Sequence, residues 1–348
     1  MKSKTIWLSV LVFAVAAFLG WQLYSYSPSQ LINPLQTSSA APNLDKKINK
    51  NISLLPPLNY TKAQQLPSLS DSLSYLVYNP QTKKVYLSKN PHQKISPASF
   101  TKLLTAQVAL DIADPDQLIT ATFTSVDKEP TVMELQVGET LPLKDLLRAA
   151  IATSANDAAA TIAQGTARLY GQETPFFISL INKKAQLLDM TDSHFANPEG
   201  YDHPQQYSTL SDIAKAVYNL KQNYPLLVQA GASDREDILP TDTNPNHYLP
   251  NWNTLLGLYK GVDGLKIAYT ENAGYSLVVT ATRQDIPVVV ILNGADSIPQ
   301  RDLAAAALLD AAYIEHNLVP INLTRSDLQK RYNQWQALAN YIRSQQDE

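Results

Sequence analysis

Ser96-Pro97-Ala98-Ser99-Phe100-Thr101-Lys102-Leu103-Leu104-Thr105 places a hydroxyl and an amine three residues apart, where the apolar pattern predicts that a helix begins. This spacing brings Ser99 and Lys102 onto one helix face, about one turn apart. A lysine whose pKa is lowered by burial and by a helix N-terminus can remove the serine proton. An isolated Ser-x-x-Lys is more often a helix cap beside a solvated lysine, so other elements have to support the catalytic interpretation.

Two further elements supply polar groups suited to acyl transfer. Ser154-Ala155-Asn156 lies at a predicted junction between helices, where Ser154 could relay a proton and the Asn156 amide could hold a carbonyl. Lys266 lies on a predicted strand, and its cation suits a substrate that ends in a carboxylate. Taken singly, Ser154 and Asn156 are also typical of helix caps, and Lys266 is typical of a solvated lysine on an edge strand.

Composition excludes several classes of function. The net charge of −3 over 348 residues gives no reason to expect nucleic acid as a partner. The absence of cysteine excludes thiol nucleophiles, disulfides and thiolate metal sites. The five histidines show no metal-ligand spacing. We therefore expect neither a metal nor an organic cofactor.

The N-terminal residues predict attachment to a membrane. Lys2 and Lys4 precede an apolar run from Ile6 to Leu23, which as a helix spans roughly 27 Å. We interpret residues 1–26 as a single-pass anchor or signal segment, and favour an uncleaved anchor over cleavage near Ser38-Ser39-Ala40. The positive charges before the run predict that the rest is exported, or secreted if the segment is cleaved. Residues 27–67 are rich in Pro, Ser, Asn and Lys and predict an extracytoplasmic linker.

The residue pattern predicts an α+β domain over residues 68–320. Two short strands around Asn79-Pro80-Gln81-Thr82 form a hairpin, and helical patterns dominate from about Leu143 to Leu220. Three strands then follow at 261–270, 275–282 and 288–292, before a closing helix at 301–317. The predicted fold is a helical subdomain inserted into an antiparallel sheet of about five strands, which helices cover.

A separate amphipathic helix is predicted over residues 321–348. Its polar sequence carries an apolar stripe at helical spacing, formed by Leu328, Tyr332, Trp335, Leu338 and Ile342. Such a stripe can dock onto the domain, bind a partner or lie on a membrane. Docking is the favoured interpretation because it is the more common use of such a helix, and basic residues are too few to favour membrane binding.

The order Ser-x-x-Lys, Ser-x-Asn and strand lysine resembles that of penicillin-binding proteins and active-serine β-lactamases. Five segments, spread over about Ser70 to Asn317, resemble the D-alanyl-D-alanine carboxypeptidases among the low-molecular-mass penicillin-binding proteins. They are Pro97–Leu103, Ser154–Ala158, Phe195–Gly200, Tyr207–Asp212 and Gly261–Lys266 with Ala273–Tyr275. The resemblance implies a β-lactamase/transpeptidase-like fold.

The resemblance also implies a function for each element. Ser99 would attack the penultimate D-alanine carbonyl of peptidoglycan stem peptides, with Lys102 as the base. Ser154 would pass the proton to the leaving D-alanine, Asn156 would orient the peptide and Lys266 would pair with its carboxylate. The backbone N–H groups of Ser99 and Tyr269 would form the oxyanion hole. β-Lactam antibiotics, which imitate the dipeptide, would acylate Ser99.

One departure from the family pattern bears on turnover. The family motif Lys-Thr-Gly is replaced here by Lys266-Ile267-Ala268. Ile267 donates no hydrogen bond to a carboxylate and Ala268 adds a methyl group, although Thr270 offers a substitute hydroxyl farther along the strand. Losing one charge-assisted hydrogen bond costs on the order of 1.5–3 kcal/mol. The alternative to an active peptidase is therefore a weakened penicillin-binding domain that binds wall peptides or partners, whereas a β-lactamase role through Glu199 is disfavoured.

Overall fold

The computed structural model of the protein describes residues 44–66 and 69–346. The predicted membrane segment, 1–26, lies outside these ranges. Within them, no helix is both long enough and apolar enough to cross a membrane.

The described chain alternates helices with short strands. The helices are α1 (Leu44–Asn49), α2 (Thr101–Ile112), α3 (Phe123–Val126), α4 (Leu143–Ala152), α5 (Asn156–Arg168), α6 (Thr174–Leu187), α7 (Leu210–Asn223), α8 (Pro225–Ala232), α9 (Ile298–Ile314) and α10 (Arg325–Gln346). A 3₁₀ turn, Ala98–Phe100, leads into α2. The strands are β1 (Ser74–Tyr78), β2 (Val85–Lys89), β3 (Leu118–Thr120), β4 (Thr140–Pro142), β5 (Arg235–Ile238), β6 (His247–Pro250), β7 (Val262–Ala268), β8 (Tyr275–Arg283) and β9 (Ile286–Ala295).

The main sheet has five antiparallel strands in the order β2-β1-β9-β8-β7. The helical segments α2 to α8 lie between β2 and β7 in the sequence. Both features confirm the predicted fold. The sequence pattern did not reveal the two small ribbons β3–β4 and β5–β6, whose strands of three or four residues are too short to show a period.

Both faces of the sheet are buried, each against its own hydrophobic core. Alternate side chains of one strand therefore join different cores, because they point to opposite sides of the strand. Leu76 of β1 joins an inner core, shared with the helical subdomain. Its neighbours Tyr75 and Val77 join an outer core, which includes Leu308 and Leu309 of α9. The strand β7 forms one edge of the sheet, beside the helical subdomain.

Residues 44–66 pack against the domain, unlike a linker. Ile48 of α1 is fully buried, and Asn59 and Gln64 form bridges with Lys84 and Leu87 around β2. In this part of the predicted 27–67 linker, the structure therefore differs from the prediction. Local polar composition favoured a linker, whereas the ordering contacts come from residues distant in the sequence.

Helix α10 docks onto the domain through its apolar stripe. Leu328 is only 1% exposed, Tyr332 OH donates to Asp302 at 3.2 Å, and Trp335 meets Trp252 edge to face at 5.4 Å. The sequence allowed docking onto the domain, binding to a partner or contact with a membrane. In the structure, these residues dock onto the domain.

A buried ion pair lies between α6 and α2 of the helical subdomain, and its lysine also binds the N-terminal segment. Lys184 Nζ donates to Asp111 Oδ2 at 2.9 Å, to Tyr224 OH at 2.7 Å and to the Asn51 carbonyl at 3.0 Å. The charged side chains of Lys184 and Asp111 are both fully buried. Removing one partner of such a pair leaves a buried charge without compensation.

We expect Lys184→Met to lower the free energy of unfolding by about 3–5 kcal/mol, because Asp111 loses its cation while the aliphatic stem is largely kept. Lys183→Met, at the neighbouring exposed position, is the control and should change stability little. Denaturant titration of the three proteins measures the difference. Equal midpoints for the two variants would contradict a stabilising role for the pair.

Candidate active site

Ser99 lies in the 3₁₀ turn that precedes α2, and this turn packs against β7. Lys102, in the first turn of α2, donates from Nζ to Ser99 Oγ at 3.0 Å. Ala98, just before Ser99, is buried with a φ of +46°. A non-glycine residue in this left-handed region is strained, and such strain is concentrated at functional sites. The local fold thus holds the hydroxyl and the amine within hydrogen-bond distance.

The Lys102 amine has two further partners from separate parts of the chain. Nζ donates to Asn156 Oδ1 and to the Glu199 carbonyl, both at 2.6 Å. The residue is fully buried. Burial lowers the pKa of Lys102 to about 7, against the opposing attraction of Glu199 and Asp157. An amine with this pKa is substantially neutral near pH 7, so it can accept a proton from Ser99.

The segment Ser154–Asp157 holds Asn156 against the amine. Ser154 is 4% exposed with a φ of +68°, and α5 begins at Asn156. Asn156 Nδ2 donates to the Glu129 carbonyl at 2.8 Å. The buried Asp157 carboxylate accepts from the backbone of Met133 and Leu135, both at 3.0 Å. These bonds fix the loop before β4 against the start of α5.

Gly200 lets its loop approach Ser99 closely. Its φ is +99°, and a Cβ there would lie 1.9 Å from the Ala98 carbonyl oxygen and 2.9 Å from Ser99 N. The Asn197 side chain holds this turn by accepting from Gly200 N at 2.7 Å. Only glycine combines this backbone conformation with the close contact.

The edge strand β7 supplies the second lysine. Lys266 is 1% exposed, and its Nζ donates to the Ile267 carbonyl at 3.1 Å. Burial, followed by repulsion from Lys102, lowers the pKa of Lys266 well below its usual range. Ile267 packs beside the outer core, whereas Ala268 belongs to the inner core. Tyr269, just after β7, is 51% exposed and stacks on Tyr275.

The structure joins three of the predicted site residues directly, since Ser99 and Asn156 both bond to Lys102. Lys266 lies close enough to Lys102 for their charges to interact. Within the described ranges, neither Ser154 nor Tyr269 shares a hydrogen bond with the Ser99–Lys102 pair.

Sequence reasoning missed the Glu129 and Glu199 carbonyls as partners of the site. Every residue type offers a backbone carbonyl, so no sequence signal could have identified them. The carboxylate of Glu199 is 5% exposed and pairs with Lys128 at 3.2 Å. Thr270 donates to Asp202 at 2.8 Å, so its hydroxyl already has an acceptor. Across residues 44–66 and 69–346, no cluster of His, Asp or Glu side chains is arranged to hold a metal ion.

A family model described as D-alanyl-D-alanine carboxypeptidase matches residues 60–297, which is more than half of the chain. The chain belongs to this carboxypeptidase family. It is 27% identical over 256 residues to the D-alanyl-D-alanine carboxypeptidase DacF of Bacillus subtilis, covering 72% of this chain and 64% of that relative. It is 30% identical over 227 residues to a D-alanyl-D-alanine endopeptidase of Escherichia coli, covering 64% and 71%. The chain thus spans slightly less than two thirds of the DacF length.

Solved structures share the fold of this family member. The DD-transpeptidase of Streptomyces K15 is 24% identical, with a TM-score of 0.66 over 71% of this chain and 98% of that one. The carboxypeptidase DacD of Francisella tularensis is 22% identical, with a TM-score of 0.64 over 72% of each chain. At these identities the likeness establishes the β-lactamase/transpeptidase-like fold.

We expect Gly200→Ala to slow labelling of Ser99 by fluorescent penicillin by about 10²-fold, because the new methyl group displaces the Ala98 carbonyl and the adjacent Ser99. Gly171→Ala is the matched control, since Gly171 also has positive φ, +67°, but faces open space. The control should label at nearly the wild-type rate. Equal rates for both variants would show that the close contact does not position Ser99.

Proposed function

We propose that the protein is a serine D,D-carboxypeptidase that removes the terminal D-alanine from peptidoglycan stem peptides. The observation that carries this proposal is the buried Lys102 amine, 3.0 Å from Ser99 Oγ, with a pKa lowered to about 7. Ser99 Oγ attacks the penultimate D-alanine carbonyl as its proton passes to Lys102. The peptide bond then breaks, leaving an acyl-enzyme on Ser99 that water hydrolyses.

The hydrogen bonds of Lys102 support its role as base. A charged ammonium has three N–H donors, which match Ser99 Oγ, Asn156 Oδ1 and the Glu199 carbonyl. The neutral amine has two N–H groups and one lone pair. The Asn156 oxygen and the Glu199 carbonyl accept only, so the lone pair is directed to Ser99, whose hydroxyl becomes the donor. Deprotonating Lys102 therefore prepares the nucleophile without rearranging the site.

The free edge of β7 suits an extended peptide, which can add to a sheet as another strand. In this proposal the N–H groups of Ser99 and Tyr269 stabilise the oxyanion, and Asn156 orients the peptide. Ser154 relays the proton to the leaving D-alanine. Lys266 binds the terminal carboxylate, which would supply the counter-charge that this buried amine needs.

The substrates and inhibitors follow from this assignment. The partners are peptidoglycan stem peptides, with β-lactams as acylating inhibitors and no nucleic acid. The reaction takes place on the extracytoplasmic side of the cell membrane, in the periplasm or wall space. Residues 1–26 supply the proposed membrane attachment.

Incubating the full chain with fluorescent penicillin, and separately with diacetyl-lysyl-D-Ala-D-Ala, tests the proposal. We expect both labelling of Ser99 and release of D-alanine, and Ser99→Ala should abolish both signals. Labelling without D-alanine release would reject turnover of this substrate and favour the weakened penicillin-binding domain. Failure of both reactions with folded protein would favour a binding role.

Acylation should depend on pH through Lys102. Because the neutral amine is the base, the rate should rise as pH increases through about 7 and level off above it. Below that value it should fall by about tenfold for each pH unit, as the neutral fraction falls. Stopped-flow acylation between pH 5 and 9 measures this profile, and circular dichroism checks that the fold persists. A flat profile would exclude Lys102 as the titrating base.

Fluorescent penicillin should acylate the variant Ile267→Thr/Ala268→Gly about one to two decades faster than the wild type if the threonine hydroxyl of the family motif binds the substrate carboxylate. Ile267→Val/Ala268→Gly is the matched control, because valine has the shape of threonine without its hydroxyl. The ratio of the two acylation rates isolates the hydroxyl from the change at Ala268. A ratio near one would show that Ile267 does not limit the reaction.

A further inference from the structure

The Asp202 carboxylate bridges two segments that face each other at the candidate site. Ser96 Oγ donates to Asp202 Oδ1 at 2.5 Å, and Thr270 Oγ1 donates to the same oxygen at 2.8 Å. Asn272 N donates to Oδ2 at 3.2 Å. Thr270 Oγ1 also accepts from Ala273 N at 3.1 Å, which fixes the direction of its hydroxyl. One side chain thus receives hydrogen bonds from the segment before Ser99 and from the turn after β7.

These two segments carry the proposed oxyanion donors. Ser96 is three residues before Ser99, and Thr270 directly follows Tyr269. Because β7 is an edge strand, no β-ladder joins its free edge to the serine turn. The separation of the Ser99 and Tyr269 N–H groups is therefore set by contacts between these two segments that do not belong to a β-ladder. An oxyanion site requires its donors about 2.7–3.1 Å from the developing charge, so small displacements matter.

We propose that Asp202 is a positioning residue that holds the Tyr269 N–H at the distance from the Ser99 N–H that an oxyanion requires. This inference rests on the proposed function. Asp202 acts through Ser96, Thr270 and Asn272 without touching the reacting atoms. Asp202 is exposed, so water can replace its carboxylate as the partner of these donors, and its removal leaves no buried polar group without a partner. Its loss should therefore affect the transition state more than the fold.

Penicillin acylation kinetics of Asp202→Ala, Thr270→Val and the double variant test this role. We expect each single variant to lower the acylation rate constant by about ten- to hundredfold, with nearly unchanged initial binding and melting temperature. The double variant should lose less rate than the product of the two single losses, because both changes break the shared bond between Thr270 and Asp202. Thr270→Ser, which keeps the hydroxyl, should retain most of the rate.

Asp296→Ala is the matched control. Asp296 is another exposed aspartate lining the cavity of about 840 Å³ that Asp202 also lines, and its removal should leave the rate unchanged. The positioning role of Asp202 would be overturned by a wild-type acylation rate in Asp202→Ala, or by a loss in the double variant equal to the product of the two single losses. Either result would leave the proposed function intact. A loss of rate that only follows a lowered melting temperature would assign Asp202 a structural role instead.

Hydrogen exchange tests the same bridge without relying on activity. The backbone amides of residues 269–273 should exchange faster in Asp202→Ala than in the wild type, with no such change in Asp296→Ala. Unchanged exchange would overturn the inference. If wild-type protein fails to react with penicillin, the proposed function fails. The exchange result then still decides whether Asp202 holds the turn after β7.

Discussion

A single buried amine organises the candidate site. Lys102 Nζ contacts the Ser99 hydroxyl, the Asn156 side chain and the Glu199 carbonyl, which come from three separate segments. Taking an ammonium out of water is costly, whereas a neutral amine needs fewer partners. With a pKa near 7, Lys102 lies between these two states. The acceptors stabilise its charged form, while burial keeps the neutral form accessible as a base.

The surrounding fold keeps those acceptors in place by contacts of several kinds. Gly200 brings the Glu199 segment against the Ala98 carbonyl, and Asp157 ties the loop before β4 to the helix that begins at Asn156. Ala98 and Ser154 both have positive φ. Such conformations persist only when neighbouring contacts determine them. The large inner core therefore supports the site as well as the stability of the domain.

The sequence was informative where a local pattern carries the signal. Helical spacing placed Ser99 beside Lys102, and strand-like runs separated by turn signals predicted the five-stranded sheet. Contacts between distant residues left no such signal: the Gly200–Ala98 approach and the Asp202 bridge depend on the folded chain. The packing of residues 44–66 was missed for the same reason. Lys184, far along the sequence, binds the Asn51 carbonyl in a segment whose composition is typical of a linker.

The two residues that depart from Lys-Thr-Gly, Ile267 and Ala268, pack against different parts of the domain. Ala268 packs in the inner core and Ile267 beside the outer core, so the two substitutions lie on opposite faces of β7. The Lys266 amine is retained, and so is the Tyr269 N–H, because a backbone donor is independent of its side chain. The proposed reaction at this edge therefore depends on where β7 lies relative to Ser99 as well as on its side chains. A strand without the family hydroxyl relies more on the contacts that hold its backbone in place.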